Sequence, residues 1–198
     1  MTLPEKLVKD RRIQKTQKLL HEALTSLIHE KDYDSIVVKE ILDRANVGRS
    51  TFYTHFNDKD ELLVSGMHDM LFSIQSAARP SSEKRHEQIL WFSLPIFEHI
   101  GHHWRAGEAR IGTKGRAILH ENLQRVLAGK IADEVRKYLQ GRRKTAGQIP
   151  SDLLVQYVTS TFILMVNWWV ESRSRMTPTE VNNLFCSLVL PSLAANWG

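Results

Sequence analysis

At 198 residues, 42% hydrophobic and 25% charged, the chain has an ordinary globular composition. It is long enough for one sizeable core or for a small module joined to a larger one, and nothing in it reads as disordered or low-complexity. The formal net charge is +5, and the single cysteine, Cys186, excludes an internal disulfide and suits a reducing cytoplasm. Residues 1–12 hold no apolar run that could serve as a signal peptide.

The charge is unevenly placed. Residues 1–18 carry Lys6, Lys9, Arg11, Arg12, Lys15 and Lys18 against Glu5 and Asp10. This basic arm is able to neutralise phosphates, and it equally fits a solvated terminus. A first helix is predicted over residues 10–30, where Ile13, Leu20, Leu24, Leu27 and Ile28 recur at three-, four- and seven-residue steps and draw one apolar stripe. After a polar break at residues 31–35 come a short helix over about 38–44, a turn at Ala45-Asn46-Val47-Gly48, and a second short helix over about 49–55. Asp58 then reads as an N-cap with Glu61 as its capping-box partner, opening a helix to about residue 78 that ends at Arg79-Pro80-Ser81-Ser82.

Further helices are predicted at about 82–102, 115–139, 150–171 and 178–194, with glycine-flanked loops at 112–115 and 141–147. Pro95 kinks the first of these unless it opens a new helix there. The most apolar stretch, residues 153–170, is interrupted by Gln156, Thr159, Ser160, Thr161 and Asn167. It falls short of the roughly 20 apolar residues of a membrane span, so a buried helix and no membrane association are expected. No alternating strand pattern and no internal repeat is visible, and the expected fold is all-α.

Two short helices joined by a tight turn and braced by a longer preceding helix are the layout of a helix-turn-helix. Ala45 is small enough for close helix approach, and Asn46 tolerates a left-handed turn conformation. Ile41, Val47 and Phe52 supply the small core, and Phe56 is placed to pack near Leu62 and Leu63. What remains on the second helix is Arg49, Ser50, Thr51, Tyr53, Thr54 and His55: donors, acceptors and a ring, with no acid among them. Arg reads guanine and Thr contacts base edges or the thymine methyl in a major groove, and Lys59 is within reach of a phosphate. Taken singly, these residues also fit a polar, solvated helix in some other bundle.

The whole string from Val37 to Leu63, above all Thr51-Phe52-Tyr53-Thr54-His55-Phe56-Asn57-Asp58-Lys59, resembles the DNA-binding module of the tetracycline-repressor (TetR) family. The resemblance covers about residues 10–65. It implies a dimer of nine or so helices per chain with a small DNA-binding head and a larger C-terminal regulatory domain. The corresponding division is residues 1–57 for the head and 58–198 for regulation and dimerisation, with a connecting helix at about 58–79. Carried over by position, Arg49, Ser50, Thr51 and Thr54 face base edges. Tyr53, His55 and Lys59 match phosphate contacts, and Lys39 matches a position that touches DNA in some members. There are two departures. Val37 stands where the family usually has a capping Thr or Ser, which leaves Ser35 to cap and removes a phosphate contact. Asn46 replaces the usual turn glycine.

His99, His102 and His103 include pairs at helical spacing, but no cysteine is near and no metal site is assigned. No phosphate loop, nucleophile elbow or metalloprotease helix is present, and Cys186 lies in an apolar helical context, so neither an enzyme nor a cofactor is expected. Leu154, Val158, Thr161, Met165 and Trp169, with Val181, Leu184, Phe185 and Leu188, follow heptad-like steps on the last two helices. They resemble the family's dimer interface, the alternative being coverage of their own core. Trp91, Phe97, His103, Trp104, Phe162, Asn167 and Trp168 are the candidates for lining an apolar effector site, the alternative again being plain core. The resulting expectation is a cytoplasmic, homodimeric regulator. It binds a near-palindromic double-stranded DNA operator and is released from it, as a repressor, by a small-molecule effector. A helical ligand- or partner-binding module with a degenerate helix-turn-helix is the alternative.

Overall fold

The computed structural model describes residues 3–77, 89–103, 110–139, 149–172 and 174–197. Its helices are α1 (Leu3–Glu30), α2 (Val38–Ala45), α3 (Arg49–His55), α4 (Lys59–Ala77), α5 (Ser93–His103), α6 (Gly112–Leu139), α7 (Ser151–Glu171) and α8 (Pro178–Trp197), with a 3-10 turn at Tyr33–Ser35. No strand occurs among the described residues, so the fold is all-α. The first helix begins at Leu3 rather than at residue 10, so the basic arm is helical backbone. Residues 82–88 lie outside the described residues. The helix after them opens at Ser93, placing Pro95 in the first turn, where its missing N–H has no helical partner to lose.

The chain forms two compact units, one of Met1–Asp69 with Gly107–Leu119, the other of Met70–Ala106 with His120–Gly198. In the first, the α1 stripe is confirmed: Leu20, Leu24, Leu27 and Ile28 are buried, with Ile13 half-buried. They meet Ile41, Leu42 and Ala45 of α2, Phe52 and Phe56 around α3, and Leu62, Leu63 and Met67 of α4, all buried. α4 is capped much as its sequence suggests. Asp58 Oδ1 accepts the Glu61 amide at 2.8 Å, but the Glu61 carboxylate reaches back to the Asn57 amide at 2.7 Å rather than to that of Asp58.

The core of the second unit is aromatic. Phe162 lies with ring centroids 5.0 Å from both Phe92 and Phe97 and 5.3 Å from Phe185, and Trp169 stands edge-on to Phe97 at 5.8 Å. All five side chains are fully buried. The Trp169 indole N–H, which needs a partner once buried, donates to Met176 O at 3.0 Å and so ties down the loop before α8. α8 then starts with a capping box: Thr177 Oγ1 accepts the Glu180 amide at 3.3 Å, and Glu180 accepts the Thr177 amide at 2.7 Å. α5 packs on α8, and Gly101 allows it, because a Cβ there would stand 2.8 Å from Pro178 Cγ.

This packing divides the residues of the heptad reading. Leu154, Val158, Met165, Trp169, Val181 and Phe185 face the core of their own chain and are nearly or fully buried, Thr161 is half-buried, and Leu184 and Leu188 are exposed. The outward apolar stripe of α7 is a different one, Leu153, Tyr157, Leu164 and Trp168, with Leu164 65% exposed. α7 is thus apolar on two faces. It is long and apolar enough to cross a membrane by length and composition, yet nine of its residues are buried in the protein. Heptad steps counted from Leu154 select the inner face, and steps counted one residue earlier select the outer one.

His21 is the polar group of the first unit held least comfortably. Its Nε2 is buried without a hydrogen-bond partner, its ring lies 6.0 Å from that of Phe56, and Nδ1 is 3.4 Å from Asp69. Burial lowers its pKa from 6.5, and the nearby Asp69 opposes this in part. The unfolded chain therefore takes up a proton near pH 6.5 and the folded chain only at lower pH. The stability of this unit holds above that value and declines as the pH falls below it. Thermal unfolding between about pH 7.5 and about pH 5.5 should show that decline, and His21→Phe should flatten it; an unchanged acid slope in the variant would clear His21 of the effect.

Candidate nucleic-acid interface

The candidate surface is built on a turn and a seven-residue helix. α2 ends at Asn46, whose φ of 51° and ψ of 47° put it in the left-handed region, as its side chain tolerates, and the Val47 amide closes the end by donating to Leu42 O at 3.1 Å. Gly48 precedes α3 in extended conformation and its carbonyl accepts the Phe52 amide. Phe52 turns inward and is fully buried, which stabilises by about 1.5–3 kcal/mol. Arg49, Ser50, Thr51, Tyr53 and Thr54 are exposed together, and His55 is half-buried at the end. The structure therefore gathers all six predicted α3 residues on one short helix, with Lys39 exposed on α2.

Two contacts order this face. The Arg49 guanidinium lies 5.6 Å from the centre of the Tyr53 ring, which in turn stands edge-on to Phe52 at 5.3 Å. Thr54 Oγ1 donates to Ser50 O at 2.9 Å, which leaves its lone pairs and methyl group facing outward. The helix is also held from behind. Arg44, at the end of α2, donates to both oxygens of Glu30 at 2.6 and 2.8 Å and to Ser26 Oγ at 2.6 Å, fixing α2 to α1. The pairing holds the Glu30 carboxyl below its usual range, the hydrogen bond from Arg44 being the main cause.

The start of α2 differs from expectation. Ser35 does not cap it: its hydroxyl donates to Asp32 O at 2.7 Å. Val37 supplies no side-chain cap, and Glu40 takes up the exposed amide, accepting from Val37 N at 3.0 Å while Lys31 donates to it at 2.5 and 2.6 Å. The hydrogen bonds from Lys31 and from the Val37 amide depress the Glu40 pKa.

Lys59 is held by the head itself. Its ammonium donates to Tyr33 O and Ile36 O at 2.7 Å each and to Asp34 O at 3.3 Å, and it lies 4.4 Å from the centre of the Tyr33 ring. An ammonium has three protons, and here three carbonyls accept them. Partial burial lowers its pKa. Beside it, Tyr33 OH donates to Asp60 at 2.5 Å, and burial and this bond push the phenol well above its ordinary value. Sequence spacing alone gave no sign of this role, since the three carbonyls lie 23 to 26 residues away.

Of the effector candidates that are described, only Phe97 and Phe162 are brought together, with ring centroids 5.0 Å apart. Phe97 and Phe162 are sealed in the aromatic core, and Trp168, 41% exposed, lies on the outer stripe of α7. Trp91 is half-buried with the Lys130 ammonium 5.9 Å from its ring centre, and Asn167 is half-buried. The His103 side chain and Trp104 lie outside the described residues. No group of three or more His, Cys, Asp or Glu suited to a metal occurs among the described residues.

Lys59→Ala removes the ammonium from three carbonyls around the Tyr33 turn, of which Tyr33 O keeps the Ile36 amide at 3.0 Å, and should lower stability by roughly 1–3 kcal/mol in denaturant titration. The same substitution should leave the salt dependence of DNA binding as it is; a slope flatter by about one unit would return Lys59 to the phosphate contacts.

The family model for bacterial regulatory proteins of the tetR family matches residues 20–65, and that for a transcriptional regulator C-terminal region matches residues 87–190. Over 55 residues the chain is 40% identical to the uncharacterized HTH-type transcriptional regulator YxbF of Bacillus subtilis, a match covering 27% of this chain and only 14% of that relative's length. Among solved structures, a TetR transcriptional regulator from Streptococcus agalactiae is 28% identical, with a TM-score of 0.58 over 93% of this chain and 98% of that one. A putative TetR-family regulator from Syntrophomonas wolfei shares the fold at 16% identity, with a TM-score of 0.63 over 92% of this chain and 96% of that one. A helix-turn-helix matched on one side of the chain and a regulator's C-terminal region matched over the other make this protein a member of the TetR family of transcriptional regulators, a DNA-binding protein and not an enzyme.

Proposed function

We infer that the chain is a cytoplasmic, homodimeric repressor that reads a near-palindromic operator through α3 and leaves it when a small molecule binds the C-terminal domain. The observation that carries this reading is the exposed face of α3, where Arg49, Ser50, Thr51, Tyr53 and Thr54 stand together with no acid among them. In the proposed division, residues 1–57 form the DNA-binding domain and residues 58–198 regulate and dimerise. Arg49, Ser50, Thr51 and Thr54 meet base edges, and Tyr53, His55 and Lys39 meet the backbone.

The dimer is supported by the apolar surface that the protomer leaves uncovered. Leu153, Tyr157, Leu164 and Trp168 on α7 and Leu184 and Leu188 on α8 are exposed, and the two helices pack side by side. Two copies meeting through this face satisfy it symmetrically and present two α3 helices to half-sites about 34–36 Å apart or whole turns further. The effector is left to side chains that are neither sealed core nor outer stripe, among them Trp91 and Asn167. A ligand that favours a head spacing unfit for successive major grooves shifts the population off DNA, and linkage makes the operator weaken ligand binding by the same factor.

Arg49→Ala should cost roughly 1–3 kcal/mol on the control-region DNA that the wild type prefers and relax preference at one base pair, measured by titration against that DNA and a scrambled duplex. Equal losses on both duplexes would confine Arg49 to the backbone. Leu164→Glu and Leu188→Glu alter exposed positions and should yield folded monomers in light scattering, whereas Leu154→Ala should lower protomer stability by about 2–5 kcal/mol. Monomeric wild-type protein at micromolar concentration sinks the dimer.

A further inference from the structure

Arg49 opens α3, and Tyr53 stands one turn later on the same helix. Residues four apart share a helix face, and a helical side chain leans back over the turn before it, so the Tyr53 ring reaches toward the arginine. The Arg49 guanidinium carbon lies 5.6 Å from the centre of that ring. A guanidinium over an aromatic face is held by the charge distribution of the ring and uses no hydrogen bond. Its N–H donors stay available, and among the described residues no hydrogen bond or ion pair takes them up. Arg44 shows the alternative. Its guanidinium is fixed by Glu30 and Ser26, and three hydrogen bonds occupy its donors.

The stability of the fold accounts for neither side chain. Arg49 is exposed, and a cation in the first turn of a helix opposes the helix dipole. Tyr53 is 46% exposed, and the contact that orients it is to Phe52, edge-on with ring centroids 5.3 Å apart and an interplanar angle of 88°. Phe52 is fully buried, so the Tyr53 ring has one contact with the core and another with Arg49. An arginine free in solvent gives up much of its rotamer freedom when it docks on a base, and a ring that already restricts it reduces that loss.

We propose that Tyr53 is a positioning residue for base recognition. Its ring restricts the Arg49 guanidinium so that two donors meet O6 and N7 of one guanine, and its hydroxyl is left for the backbone contact. The inference rests on the reading of α3 as the helix that meets DNA. It divides one side chain between two tasks of different kind. A phosphate carries no sequence information, so the hydroxyl serves every duplex alike, whereas the ring serves the single base pair that Arg49 meets. Tyr53 thereby shapes the preference at a base pair that it does not touch itself.

The test uses the full chain and the duplex that the wild type enriches from a randomised pool, with single base-pair changes made along it. Arg49→Ala marks the pair that Arg49 reads, as the one where preference relaxes. Tyr53→Leu lacks the ring and should relax preference at that same pair by about two- to fivefold, adding nothing in the Arg49→Ala background. Tyr53→Phe keeps the ring and should keep the preference, while losing affinity by one factor on the enriched and a scrambled duplex. Should Tyr53→Leu lose helix by circular dichroism, Tyr53→Gln takes its place under the same expectations. Proton NMR of the free protein gives a readout apart from DNA. The δ-methylene protons of Arg49 should lie upfield in the wild type and in Tyr53→Phe, and return to their ordinary position in Tyr53→Leu. If Tyr53→Leu weakens all duplexes by one factor, the ring belongs to the backbone contact and the proposal falls. Relaxation at a different pair also overturns it, because Tyr53 then reads a base itself, and so does an Arg49 resonance that ignores the loss of the ring. A wild type that enriches no duplex defeats the reading of α3 and the proposal with it, and that outcome is seen before any variant is compared.

Discussion

Helices of seven and eight residues are not stable by themselves in water, because the cost of nucleating the first turn is recovered only over roughly 12–15 residues. α2 and α3 are that short, so the exposed face of α3 exists only as long as its buried side is held. Phe52 and Ile41, both fully buried, carry most of that load, with α1 as the long platform beneath them. The constraint explains the division of labour on α3. A helix with one inward anchor has its remaining positions free for contact, and here those positions are filled with Arg, Ser, Thr and Tyr, none of which the core requires.

The same shortness makes the approach to α2 important. Between Lys31 and Val37 the backbone is in neither helix nor strand long enough to pair its own groups, and an unpaired buried group costs about 1–3 kcal/mol. The chain supplies partners from four places: Lys59 takes carbonyls of the turn, Arg110 O takes the Tyr33 amide, Asp32 accepts from Asp34 N and Ser35, and Glu40 accepts from Val37. A turn satisfied from so many directions is rigid, and it lies directly before α2. Residues that look like a solvated polar break in the sequence are a junction in the fold.

What could be read from the sequence divides along the range of the interactions. The left-handed Asn46, the limits of α3 and the cap at Asp58 follow from chemistry within a few residues, and the structure bears them out. The hydrogen bonds of Lys59 do not, because their acceptors lie on a turn reached only after α1 and α4 have packed. Ser35 failed as a cap for the opposite reason: a closer acceptor, Asp32 O, claims its hydroxyl. The phase of α7 was illegible in principle from one chain. Leu154, Val158 and Phe162 repeat as regularly as Leu153, Tyr157, Leu164 and Trp168, and periodicity shows that two apolar stripes exist without showing which one the protomer itself covers. The aromatic effector candidates shared this ambiguity, and for Phe97 and Phe162 the packing resolves it as core.

These corrections bear on how the inferred repressor divides affinity from specificity. Non-specific affinity for DNA comes from neutralised phosphates, while discrimination comes from base edges. Val37 has no hydroxyl to offer a phosphate, and the ammonium of Lys59 donates to carbonyls of the Tyr33 turn. On the proposed reading, backbone contacts then rest on Tyr53, His55 and Lys39. Each phosphate contact that is missing leaves a larger share of the binding energy to Arg49 and its hydroxyl-bearing neighbours. The head then depends on the placement of one guanidinium, and here that group is steadied by the Tyr53 ring, itself wedged against the buried Phe52. Anything that tilts α3 on its single anchor therefore moves Arg49 and the ring that supports it together.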